Sequence, residues 1–151
     1  MAAELDTEAH GRLGAALFNR TWELLELEDR TADQDDEMLH TAHASRYHWG
    51  ETARWPQIAV GEWQCSRVYA VLGRAEPALW HARRSLELCL LHGFGDYGLA
   101  AAYEGMARAT FVAGDLKVAR DWKRQGIAAC GSIADPRDAA PIRADLESLD
   151  V

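Results

Sequence analysis

Residues 62–89, EWQCSRVYAVLGRAEPALWHARRSLELC, align without a gap on residues 103–130, YEGMARATFVAGDLKVARDWKRQGIAAC, after a shift of 41 positions. Arg67 falls on Arg108, Val71 on Val112, Gly73 on Gly114, Ala78 on Ala119, Arg83 on Arg124 and Cys89 on Cys130. Small residues recur at Ser66/Ala107, Ala78/Ala119 and Ser85/Gly126. Neither copy has the alternation of a strand. Each divides at its glycine into two helix-length segments, because glycine turns a chain that side chains would keep helical. Small residues on both segments let two helices approach closely. The pattern predicts two tandem helical hairpins.

Outward from this pair, the breakers predict about seven helices. The first runs from Asp6, an N-cap, to about Asp29, with Leu13, Leu17 and Leu24 on one apolar stripe and Phe18, Trp22 and Leu25 beside it. The polar TADQDD segment starts a second helix that ends near Trp49. Trp55-Pro56 starts the third, which ends near Gly73, and the fourth closes at Gly93-Phe94-Gly95. Asp96 is placed to cap the fifth, and Gly114-Asp115 turns the chain into the sixth. Asp135-Pro136 opens a short last helix ending near Leu149. The expected fold is all-α, an antiparallel helical hairpin array in one domain. It comprises an N-terminal hairpin over 1–50, two hairpins over 56–133 and a capping helix over 135–149. Met38, Ala42 and Ser45 share the spacing of Ala78, Ala82 and Ser85, so the first hairpin reads as a diverged copy.

A small residue in the first helix, a glycine turn, then small residues five and twelve positions later resembles the tetratricopeptide repeat, seen in many bacterial helical proteins. The likeness covers roughly residues 57–133. The period of 41 exceeds the family's usual length of about 34. The bulky position of the second helix is Ala82 in one copy and Lys123 in the other, and the terminal proline of the motif is missing. The resemblance implies that the first helix of each hairpin lines a concave binding surface.

Composition narrows the function classes. Residues 1–50 carry eleven acids against four arginines, most of the net charge of −8. That distribution offers no basic footprint for nucleic acid or anionic lipid. No apolar run is long enough to span a bilayer and no leader is evident at the start, so the expected location is cytoplasmic. Cys65, Cys89 and Cys130 are widely spaced and form no CxxC pair, as expected of buried thiols.

Two constellations can carry chemistry. Counting back from the glycines places Trp63, Arg67 and Ala70, then Glu104, Arg108 and Phe111, toward the implied groove. Two arginine forks beside an indole and a carboxylate suit a peptide partner or a small anionic ligand. The same residues can equally form an Arg67–Glu104 bridge between stacked helices. The second helix carries Asp36, His40, His43 and Tyr47 within one narrow stripe. His40-x-x-His43, with Asp36, is a candidate site for a divalent metal, zinc or iron, completed by Glu23 or Glu26 of the first helix. Local hydrogen bonding or simple solvation is the plainer use of these histidines, and Tyr47 is a candidate ligand contact. The leading expectation is therefore a cytoplasmic binding or scaffolding module, with an exposed apolar edge available for a homodimer. The alternative is a small metal-dependent or acid–base enzyme acting through the His/Asp/Tyr stripe.

Overall fold

Asp6, Thr31 and Asp135 begin their helices by one device, a side-chain oxygen accepting from a first-turn backbone N–H. At Thr31 the device is reciprocal, because the Gln34 side chain reaches back to the Thr31 N–H. The computed structural model describes residues 4–151. Seven helices follow in order: α1 (Thr7–Leu25), α2 (Ala32–Gly50), α3 (Trp55–Val71), α4 (Ala75–His92), α5 (Asp96–Val112), α6 (Leu116–Cys130) and α7 (Pro136–Glu147). There is no strand among the described residues, and none of their helices is long and apolar enough to cross a membrane.

Successive helices pack as antiparallel hairpins, α1 on α2, α3 on α4 and α5 on α6, with α7 against α5 and α6. The odd-numbered helices also stack on one another, α1 beside α3, α3 beside α5 and α5 beside α7. The repeat is realised residue for residue. The starts of α3 and α5, 55 and 96, and their ends, 71 and 112, are each 41 apart. Gly73 and Gly114 turn the two hairpins with φ of +73° and +83°. Small residues mark the close approaches: Ser66 Oγ donates to the Ala78 carbonyl at 2.8 Å, and Ser85 Oγ to that of Ala59 at 2.9 Å. In the N-terminal hairpin Ser45 Oγ donates likewise to the Gly14 carbonyl at 2.7 Å, and Met38 and Ala42 are buried beside it.

Nothing lies within 4 Å of a Cβ built on Gly114, so only backbone conformation opposes a side chain there. Gly114→Val should therefore cost about 1–2 kcal/mol, the penalty of the left-handed region for a branched residue. Gly114→Asn should cost less, because asparagine tolerates that region. Urea melts of the two variants check this, and equal stabilities would contradict it.

Local expectations fail at three places. α1 stops at Leu25, not near Asp29, because Arg30 folds back to donate to the Leu24 and Leu27 carbonyls while also pairing with Asp35. Its buried face is Gly14, Thr21 and Leu24, with Leu13 38% exposed. Helix spacing cannot show that the Trp49 indole lies on Gly14, where any Cβ would collide with the ring. Asp96 does not cap α5: Gly95 precedes the helix, and Asp96 itself has φ of +54°.

Candidate functional site

Trp63 and Glu104 occupy equivalent places in the two repeats, and they meet. Trp63 Nε1 donates to Glu104 Oε2 at 2.7 Å. One helical turn onward, Arg67 on α3 and Arg108 on α5 converge on the other oxygen. Arg108 Nε donates to Glu104 Oε1 at 2.5 Å and Arg67 Nη1 at 3.3 Å. Glu104 is fully buried, so these donors replace its lost hydration. Arg67 also lays its fork on Asp145 of α7, at 3.1 and 3.4 Å, and Arg108 reaches the Asp145 carbonyl at 3.5 Å. Two guanidinium groups thus face two carboxylates.

Aromatic rings wall this network. Trp22 lies 5.6 Å from Trp63, centre to centre, and Tyr97 lies 6.3 Å from Trp63. The Arg67 guanidinium sits over the Trp22 ring at 5.7 Å. Burial raises the Tyr97 phenol above its ordinary pKa, helped by the charges of Asp145, Glu104 and Asp138 and opposed by Arg67. It stays a neutral hydroxyl.

Trp63, Arg67, Glu104 and Arg108 are therefore brought together as counting from the glycines expects, and the Arg67–Glu104 bridge is present. The surface is more closed than an open groove, because α7 packs on α5 and α6 and sets Asp145 against Arg67. Ala70 does not face it: Ala70 is buried against Ala78, Ala82, Met106 and Ala109. Tyr47 is 61% exposed on α2 and packs edge-on against His48, with no hydrogen bond or aromatic contact to the network.

The second-helix stripe is divided by its surroundings. Asp36 and His40 stay exposed, whereas His43 turns inward until its Nε2 shares a hydrogen bond with the Tyr69 hydroxyl at 2.8 Å. Glu23, one of the two expected completing ligands, pairs with Arg20. No group of three or more His, Cys, Asp or Glu side chains placed to hold a metal ion occurs among the described residues. Asp36, His40 and His43 therefore do not converge on one point, as the ligands of a divalent ion must.

His43 instead joins a cluster that spacing within one helix cannot reveal. Tyr69 of α3 stacks on His81 of α4 at 5.6 Å and 6°, and His81 lies 5.3 Å from His43. Glu62 Oε2 accepts from His81 Nδ1 at 2.6 Å, and Glu62 Oε1 accepts from Arg46 Nε at 2.8 Å. The seven-residue spacing of Glu62 and Tyr69 on α3 was the one available hint. Burial alone would raise the Glu62 carboxyl, but the bond from His81 and the charges of His81 and Arg46 hold it below the usual range. Burial, then the nearby His81, lowers the His43 imidazole, opposed by Glu62. Cys65 lies 4.0 Å from His43 Nδ1, yet burial and then Glu62 push its thiol strongly upward. It is no thiolate nucleophile.

No protein-family model, curated protein or solved structure matches this chain. An apolar cleft of about 500 Å³ lies beside the Trp63 network, lined by Pro56, Val60, Phe94 and Tyr97 among others. A second cleft, of about 510 Å³, lies between Trp55 and the end of α4. None of the principal cavities is lined by His43, Tyr69, His81 or Glu62.

Proposed function

We propose that the chain is a tetratricopeptide-like binding module of the cytoplasm that holds an acidic peptide or small carboxylate against Trp22, Tyr97 and Arg67, with Trp63 buried behind them. The observation that carries this reading is the unequal pairing of Arg67. Its inner partner Glu104 is fully buried and held by three donors, whereas Asp145 is 32% exposed and comes from the terminal helix. A ligand carboxylate can take the place of Asp145 on the fork without disturbing Glu104. The adjoining aromatic wall supplies rigid apolar contact at low entropic cost. The enzyme alternative has less support, since the candidate metal donors of the second-helix stripe do not converge and line no principal cavity.

Titration with a glutamate-rich pentapeptide and with glutarate, followed by tryptophan fluorescence, tests the proposal. A saturable change is expected. Arg67→Ala should weaken binding by about 1.5–3 kcal/mol, the worth of a hydrogen bond to a charged group. Asp145→Asn should tighten it, because the fork loses its competitor. Circular dichroism melts separate lost affinity from lost fold. No saturable signal in either the wild type or Asp145→Asn would overturn the assignment.

A further inference from the structure

Helix α4 carries an exposed seam that the packing of the array does not use. On α4, Ala78, Ala82, Ser85 and Cys89 face inward and are buried. The outward face presents Trp80 at 60% exposure, Leu90 at 63% and Leu91 at 78%, with Arg83 and Glu87 exposed between them. Positions 80, 83, 87 and 90 alternate by three and four residues, the spacing of a helix–helix seam. Large apolar side chains this exposed, in one line, mark an interaction surface more often than scattered ones do.

The order of residues along the seam identifies the occupant. Trp80 lies five residues before position 85, and Leu90 five after it; Arg83 lies two before, and Glu87 two after. A twofold axis crossing α4 at residue 85 therefore sets Trp80 against Leu90 and Leu91 of a second copy, and Arg83 against its Glu87. Apolar and charged pairs obey the same axis, which is the self-complementarity an isologous contact needs. We infer that α4 forms an antiparallel, symmetric contact between two copies of this chain.

Surrounding detail fits that contact. Trp55 stacks on His92 at 4.4 Å and 17°, and beside them opens the cleft of about 510 Å³ lined by Arg84, Glu87, Leu88 and Leu91. It lies at the end of α4 that Trp80 of the second copy reaches, so each copy supplies one indole and one receiving cleft. Trp80 and Leu91 are about 16 Å apart along the helix, at ~1.5 Å per residue, so the two indoles sit at separate ends of the seam. Glu87 Oε2 already accepts from Arg84 at 3.0 Å, which leaves Oε1 for Arg83 of the second copy. The Trp63 network lies on the odd-numbered helices and stays available to ligand.

Sedimentation velocity across a concentration series tests the contact, with dissociation expected at micromolar concentration for a single pair of helices. Trp80→Glu should give a monomer with unchanged circular dichroism, since this side chain fills no core. Arg83→Glu and Glu87→Arg should each weaken dimerisation roughly tenfold by setting like charges together, and the double variant should recover most of the loss. Recovery reports the antiparallel register itself. A wild-type protein that stays monomeric up to about 1 mM, or a dimer indifferent to Trp80→Glu, would overturn the inference. Failure of the double charge reversal to recover would equally overturn it.

Discussion

Glu104→Ala is expected to cost about 3–5 kcal/mol of folding stability, the range found when one partner of a buried ion pair is removed. The side chain is fully excluded from solvent and accepts from Trp63, Arg67 and Arg108. Its removal leaves Arg108 with only a 3.5 Å contact to a carbonyl, and the Trp63 N–H with no acceptor. Arg67 keeps Asp145, so part of the positive charge stays compensated. Glu104→Gln should lose less, because its amide oxygen still accepts one bond while the charge is gone. Guanidinium melts of both variants check the order. If Glu104→Ala were within 1 kcal/mol of wild type, roughly the worth of an exposed ion pair, the network would not hold α3 to α5.

Leu146→Ala should be comparably damaging, by about 2–5 kcal/mol, the range for truncating a fully buried leucine. Leu146 is wholly buried, and a Cβ on Gly126 of α6 would lie 2.8 Å from its Cδ1. The packing is that close because position 126 carries no side chain. α7 is also short and packs only on α5 and α6, so the loss should appear there first. Hydrogen exchange should show α7 amides losing protection while α3 and α4 keep theirs. A loosened α7 takes Asp145 away from Arg67, so glutarate should bind more tightly to any folded Leu146→Ala protein. Uniform loss of protection along the whole chain would instead mean that α7 is an integral part of one cooperative unit.

The fold was legible because its signals are local. A glycine where φ must be positive, small residues where helices touch and a capping oxygen at a helix start act within a few residues. Gly73, Gly114, Ser66, Ser85 and Thr31 show these effects at the places the sequence indicates. Boundaries failed where a distant partner intervened, as when Arg30 turned back on α1 or Trp49 claimed the space over Gly14. Repeat registry also carried far into the site, bringing Trp63, Arg67, Glu104 and Arg108 together, because equivalent positions on stacked helices are neighbours. It could not show that Asp145, 78 residues from Arg67, completes the network, since nothing in local periodicity couples the last helix to the third.

The histidines show the limit most clearly. Helix periodicity puts Asp36, His40, His43 and Tyr47 on one stripe, but a stripe is only a direction from one helix axis. Which members meet a partner depends on what the neighbouring helices present. Tyr69 and His81 drew His43 inward, while Asp36, His40 and Tyr47 remained at the surface. The chain's own order determined the seven helices, their turns and the faces that small residues mark, because those follow from backbone sterics and side-chain size. Only tertiary packing decided that Glu62 is charged beside His81, that Cys65 is a suppressed thiol and that Arg67 has one buried and one partly exposed partner. Charge state and pairing depend on desolvation and on groups far away in sequence, which meet only when the helices stack.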